Sequence, residues 1–290
     1  MRLSTMTNLC YNPHEDGRTY IHALRLAHEA GYRVMDFNMC ALQRGETELA
    51  GDGWQPYVYE IADEAARLGI DFSQSHLPYP KASVRRKSNT DPGCERNEFF
   101  IKMTERAIAV SAMLGVRWAV VHPVQRGIDV NPEDDLRYNH EIYDDYLETA
   151  SKSGVGFAYE NMCDVDGRRR YGATAEDLNA IVASYNSSSA GICWDFGHAH
   201  RMLADQCPAL RSVAHALRAT HLDDNLGKDD LHTIPYFGSI KWAEVMKVLR
   251  EEGYEGDLTY ELSAYRRMPE ELMLPTVEYA RRVGEYLLTL

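Results

Sequence analysis

No stretch of this sequence approaches the roughly 18 uninterrupted apolar residues that a membrane-crossing helix needs, so no membrane span is expected. The N-terminus, MRLSTMTNLCYNPHEDG, has no continuous apolar run of the kind a secretory signal carries. Basic charge is scarce: 31 Lys and Arg stand against 44 Asp and Glu, a formal net charge of -13. That balance opposes the standing attraction on which nucleic-acid binders rely, and no nucleic-acid partner is expected. The six cysteines, Cys10, Cys40, Cys94, Cys163, Cys193 and Cys207, contain no CxxC pair. Free thiols in a cytoplasmic protein are the simplest reading. No GxGxxG follows the first β-like run, which makes a dinucleotide site unexpected. Low-complexity tracts, linkers and repeats finer than one strand plus one helix are also missing.

What is present is enough for a large core, with 290 residues of which 44% are hydrophobic. Short β-like runs alternate with helical ones. The expected strands are Leu3 to Thr7, Val34 to Met39, Asp71 to Leu77, Trp118 to Pro123, Gly156 to Asn161, Ala190 to Asp195, Ala219 to Leu222 and Asp257 to Leu262. Their starts are 31, 37, 47, 38, 34, 29 and 38 residues apart, the length of one strand, one helix and two loops. Helix-period stretches lie between them, among them Tyr20 to Ala30, Tyr57 to Leu68 and Phe99 to Leu114, each followed by a glycine that can stop a helix. Eight such units predict an α/β fold, a closed (β/α)8 barrel, as one domain over residues 1–290. In that architecture the loops after the strands form the functional face. The long polar loops Cys40 to Pro56 and Lys81 to Arg96 are expected to form a rim or lid.

The sixth run, GICWDFGHAH from Gly191 to His200, ends abruptly in Asp195, with His198 three residues behind. Charge where a strand leaves the core costs several kcal/mol unless something pairs with it, and a divalent metal is a common partner for a carboxylate with an imidazole. Other strands end alike. His76 stands in SHLPY, His122 in VVHPV, Glu160 in YENM, His221 in THLDDN and Glu261 in TYELS. One such residue alone is more often structural, and Glu160 or Asp195 alone could cap the following helix. A set ending six barrel strands, uninterrupted by Lys or Arg, points instead to a cation at the barrel mouth. In the seventh loop Asp230 and His232 either add ligands or, the favoured reading, His232 orders the loop by hydrogen bonding. His14, His22, His28, His140, His200 and His215 read as solvated or structural. The short basic clusters Arg85 to Lys87 and Arg168 to Arg170 read as solvated surface or as recognition of an anionic substituent.

With these residues in order along the chain, through YEN, WDFGHAH, HLDDN, DLH and GYEGDLTYEL, the sequence resembles the xylose-isomerase-like barrel superfamily. That group contains sugar and sugar-phosphate isomerases and epimerases and also the endonuclease IV type of repair nuclease. For the isomerase and epimerase members the resemblance implies one divalent ion, manganese first, with cobalt, magnesium and zinc as alternatives. Its ligands would match Glu160, Asp195, His221 and Glu261, with His198 on the substrate. In the nuclease, positions like His76, His122, His198, Asp230 and His232 join those four to hold three zinc ions, and this chain keeps all nine. The acidic balance favours the isomerase or epimerase over a protein that must grip a phosphate backbone.

The expected substrate is a small carbohydrate, a ketose or a related polyol ketone. Glu160 and Glu261 would exchange protons with carbon through an enediolate, while Asp195 and His221 would serve as ligands only and Trp194 would pack. A metal-dependent lyase or dehydratase, or an endonuclease IV-like phosphodiesterase, is the alternative, followed by a catalytically silent barrel. Specificity is expected in the loops Cys10 to Arg18, Cys40 to Pro56 and Lys81 to Arg96. Barrels of this type often form homo-oligomers.

Overall fold

The structure is a computed structural model that describes residues 1–9, 19–45, 47–79, 95–262 and 268–290. Eight parallel strands run in one sheet: β1 Leu3–Met6, β2 Val34–Asn38, β3 Asp71–His76, β4 Trp118–Val121, β5 Gly156–Glu160, β6 Ala190–Asp195, β7 Leu217–His221 and β8 Leu258–Tyr260. Each pairs with the next in sequence, and β1 also pairs with β8. The ring closes between β7 and β8 through a single parallel bridge, Leu222 to Tyr260, with Leu222 N donating to Thr259 O and Glu261 N to Leu222 O. This is the (β/α)8 barrel expected from the eight alternating units.

Helices α1 Tyr20–Glu29, α2 Trp54–Leu68, α3 Glu95–Met113, α4 Pro132–Lys152, α5 Ala175–Tyr185, α6 Phe196–Met202, α7 Cys207–Val213, α8 Trp242–Glu251 and α9 Glu270–Leu287 follow the strands. Local chemistry sets their ends. Thr19, Asn131 and Thr174 cap α1, α4 and α5 by accepting from backbone N–H groups of the first turn. Acidic Glu133, Asp134 and Asp135 open α4 and Lys152 closes it, matching the helix dipole. α2 starts at Trp54, three residues before its apolar period begins, because Pro56 is tolerated in a first turn. β7 likewise starts two residues early, with Arg218 lying over the Trp118 ring at its exposed end.

Alternation along the strands divides the core in two. The larger part lies between sheet and helices and holds Phe157, Tyr159, Trp194, Phe196 and Trp242. Trp194 packs there as expected, its Nε1 donating to Gln206. The smaller part holds Val120, Ala158, Cys193 and Ala219, each two residues before His122, Glu160, Asp195 and His221. The barrel is thus plugged with small side chains directly beneath the residues that end its strands. At β5, a Cβ on Gly156 would lie 2.4 Å from the Trp118 ring, so only glycine fits there.

The segment after β2 is packed down more than a lid would be. It forms short turns at Cys40–Arg44 and Glu48–Ala50, with Leu42 and Leu49 fully buried and Arg106 donating to the carbonyls of Leu49 and Gly51. The loop Cys10 to Arg18, most of Lys81 to Arg96, the cluster Arg85 to Lys87 and His14 lie outside the described residues.

Candidate metal centre at the barrel mouth

Glu160 ends β5, Asp195 ends β6, His221 ends β7, and Glu261 is the first residue past β8. One ligand atom from each falls within 4.8 Å of all the others. His221 Nδ1 lies 2.8 Å from Glu160 Oε1, 3.0 Å from Glu261 Oε2 and 3.9 Å from Asp195 Oδ2. Glu160, Asp195 and His221 are buried, while Glu261 is 16% exposed and faces the mouth.

Asp195 carries two tasks on two oxygens. Oδ1 accepts from His198 N at 2.6 Å and so caps α6. Oδ2 is buried and has no hydrogen-bond partner. A buried carboxylate oxygen without a donor is costly, and three carboxylates at this spacing repel one another. Burial raises the Asp195 carboxyl to about 6 against the pull of His198. Burial also acts to raise Glu160 and Glu261, but His221 and His122 hold Glu160 well below the usual range and His221 holds Glu261 at about 2. Carboxylate oxygens with one imidazole nitrogen, one oxygen of the set lacking any partner, form a donor set that fits a hard divalent ion.

Two further groups flank this quartet. Glu160 Oε2 lies 2.8 Å from His122 Nε2 and 3.3 Å from His76 Nε2, so its second oxygen is held by two imidazoles and is not turned to an open cavity. Tyr79 stacks on His122 with centroids 4.3 Å apart. On the other side, Asp230 Oδ2 lies 3.3 Å from His198 Nε2 and 3.2 Å from His232 Nε2. The remaining nitrogens face backbone carbonyls, His198 Nδ1 that of Asn161 at 2.9 Å and His232 Nδ1 that of Glu261 at 3.0 Å. His232 thus ties the seventh loop to the end of β8 through Nδ1 and presents Nε2 to Asp230, contacts compatible with either reading of this residue. All nine residues singled out in the sequence meet at one end of the barrel.

Other residues at the site were not among them. Asn161 clamps Asp195 from both sides, accepting from its N at 2.6 Å and donating to its O at 2.8 Å. The YEN motif carried that signal. Asp223 is buried with neither carboxylate oxygen hydrogen-bonded, 3.6 Å from His232 Nδ1. A Cβ on Gly197 would sit 1.9 Å from its Oδ1, so α6 approaches Asp223 only because it carries glycine there. Cys163, read as a free thiol, is free and lies with His198 and Asp230. Nothing in its spacing marks that placement. Among the other histidines, His140 bridges Asp144 and Ser184, and His200 bonds Ser239, both on the periphery. Arg169 is paired with Asp177, a structural contact between the β5 loop and α5.

Comparison with known proteins bears on the fold that carries these residues. The family model described as xylose isomerase-like TIM barrel matches residues 24–283. The Sinorhizobium fredii protein y4fM is 22% identical over 260 residues, 83% of this chain and 80% of that one. A solved D-tagatose 3-epimerase-like protein superposes with a TM-score of 0.76 at 18% identity, over 100% of this chain and 97% of that one. A D-psicose 3-epimerase solved in the presence of D-fructose gives 0.77 at 13% identity, over 99% of each chain. These likenesses show the shared fold. Among the described residues no helix is long and apolar enough to cross a membrane.

Proposed function

The chain belongs to the xylose isomerase-like TIM barrel family, and from that premise we propose that it is a divalent-metal-dependent isomerase or epimerase of a sugar, ketose or related polyol ketone. The observation that carries the reading is the convergence of Glu160, Asp195, His221 and Glu261 within 4.8 Å at the barrel mouth. Similarity in fold to proteins described as D-tagatose 3-epimerase-like and D-psicose 3-epimerase supports the substrate class. The unpaired thiols Cys40, Cys163, Cys193 and Cys207 suit a cytoplasmic setting. We assign the whole of residues 1–290 to one barrel domain.

Isomerising or epimerising a ketose means taking a proton from carbon beside a carbonyl and returning it to a neighbouring carbon or to the opposite face. Glu160, Asp195, His221 and Glu261 would hold a divalent ion, manganese first, which would supply Lewis acidity for the negative charge that develops on the substrate oxygens. Glu261, which faces the mouth, is the carboxylate best placed to take or return the proton. Glu160 is assigned as the second acid/base group, but its Oε2 lies 2.8 Å from His122 and 3.3 Å from His76, so it can reach carbon only once those contacts open, with His122 placed to share the proton. Asp195 and His221 would serve only to hold the ion. His198, fixed through Nδ1 on Asn161 O, is assigned to orient a substrate hydroxyl through Nε2, which lies 3.3 Å from Asp230 Oδ2.

The test is solvent deuterium incorporation. Ketoses, inositol-type ketones and their phosphates are incubated with metal-loaded protein in D2O, and deuterium should appear at the carbon beside the carbonyl in recovered substrate. No exchange with any of them would remove the isomerase reading. The clusters on either side of the quartet favour one second reading, a phosphodiesterase, lyase or dehydratase that uses more than one ion. Nicking of abasic duplex DNA without sugar exchange would select the phosphodiesterase.

A further inference from the structure

We propose that Asp36, in the middle of β2, is a positioning residue for the quartet: its carboxylate, set by Gln74, accepts the Nε2 proton of His221 and so fixes that ring in the tautomer able to hold an ion. The inference deepens the metal reading and rests on it, but it is independent of the reaction the ion serves. β2 reads VMDFN, an apolar run broken by one acid. Met35 and Phe37 join the core between sheet and helices, so Asp36 between them points into the barrel, where it is wholly buried.

The fold alone gives that charge little in return. Oδ2 accepts from Gln74 Nε2 at 2.8 Å, and Oδ1 is buried without a hydrogen-bond partner. A carboxylate so placed costs free energy that an apolar residue would not. The strand pairing is nevertheless adjusted to serve it. Met35 pairs with Phe72, but the register then shifts so that Asp36 pairs with Gln74 and not with Ser73. The Gln74 amide nitrogen also lies 3.4 Å from Thr220 O, the carbonyl just before His221, and so ties the carboxylate to the strand that carries the ring.

His221 supplies the reason. Its Nδ1 faces the quartet, 2.8 Å from Glu160 Oε1 and 3.0 Å from Glu261 Oε2, so Nδ1 is the nitrogen that would give its lone pair to an ion. A neutral imidazole then carries its proton on Nε2. That nitrogen is buried with no hydrogen-bond partner, and Asp36 Oδ2 stands 4.0 Å away. A movement of about 1 Å brings the two to hydrogen-bond distance. A carboxylate behind a ligating imidazole fixes its tautomer and raises its basicity. Cys193 also interacts with this ring, but a thiol is a weak acceptor. His76 stacks on the face of the ring, with centroids 5.6 Å apart and planes 12° from parallel, and leaves the Nε2 edge to Asp36.

The test is calorimetric titration of the metal-stripped full chain with manganese. Asp36→Asn keeps the side chain's size and an acceptor for Gln74 but removes the charge, and it should bind roughly 10–100-fold more weakly, the usual cost of losing an outer-shell partner. Without metal this variant should melt no lower than the wild type, because a buried charge has gone. Cys193→Ala should leave the affinity unchanged. In magnesium-loaded protein the His221 Nε2 proton, read by nitrogen-edited NMR, should lie far downfield in the wild type and move upfield in Asp36→Asn. Unchanged affinity or an unmoved proton in Asp36→Asn, or a loss of affinity in Cys193→Ala, would overturn the proposal. Affinity lost together with metal-free stability would make Asp36 a residue of the fold and overturn it as well. Should Asp36→Asn not fold, the wild-type spectrum decides, and an Nε2 proton at the ordinary imidazole position sinks the idea. A wild type that takes up no manganese removes the metal reading along with this one, whereas failed deuterium exchange with manganese bound leaves Asp36 in its role.

Discussion

Asp195 shows how one side chain serves fold and chemistry without compromise. Its capping oxygen needs only to accept a hydrogen bond, which an amide does as well as a carboxylate, while its other oxygen needs charge to hold a cation. Asp195→Asn should therefore keep the metal-free protein within about 1 kcal/mol of wild type in denaturant titration, because Asn and Asp cap equally well. It should at the same time weaken binding of the quartet's ion at least tenfold by calorimetry. Unchanged metal affinity would remove Asp195 from the ligand set. Glu160 and Glu261 separate by the opposite criterion. Glu160→Gln and Glu261→Gln each keep an oxygen donor, so much of the metal should remain while deuterium exchange drops by about 10²–10⁴, the usual worth of a positioned acid or base. His221→Ala removes the only nitrogen of the quartet and should lose the ion itself, read as metal content after dialysis. A Gln variant with wild-type exchange would show that its carboxylate moves no proton.

At the scale of elements, the connection from β7 to α8 is held by one buried carboxylate. Asp224 accepts from the N–H groups of Asn225 at 2.8 Å, Tyr236 at 2.9 Å and Ile240 at 3.2 Å, and from Trp242 Nε1 at 2.8 Å. Asp230 and His232 ride on the loop so pinned. Asp224→Ala leaves several buried donors unmet, each costing about 1–3 kcal/mol, whereas Trp242→Phe removes one donor together with its bond and should cost about 1 kcal/mol. Urea denaturation gives the stabilities, and protease cleavage between residues 226 and 238 should accelerate in Asp224→Ala alone. Equal cleavage in both variants would show that the loop is held by other contacts. None of this wiring is visible in HLDDN, where Asp223 and Asp224 look alike although one accepts four hydrogen bonds and the other none. What could be read in the chain was the strand repeat, because glycines stop helices and apolar runs mark strands, and the residues that end those runs. Cys163 escaped because a spacing pattern describes a strand and its end. It does not say where the following loop folds, and the fold of that loop toward α6 sets the sulfur beside His198.

For the whole molecule, the barrel has one weak seam, and the quartet straddles it. Seven of the eight strand junctions are ladders of two or more paired residues, two of them with a register shift, but β7 and β8 share a single bridge at Leu222 and Tyr260. Glu160, Asp195 and His221 stand on one side of that junction and Glu261 on the other, so an ion bound by all four would tie the last strand to the seventh. Binding to the folded state alone stabilises by about 2.7 kcal/mol at one hundred times Kd. At roughly 2–4 °C per kcal/mol for a chain somewhat smaller than this one, melting should rise by about 5–10 °C and saturate with metal concentration. The gain should be concentrated at the seam. Amide hydrogens of Leu222 and Glu261, which donate across it to Thr259 O and Leu222 O, should exchange more slowly with metal present, while those of the β4–β5 ladder, remote from the seam, should change little. Uniform slowing at both places would mean that the ion raises global stability without bracing the junction, and no rise in melting at saturating manganese or zinc would mean that the quartet holds neither ion.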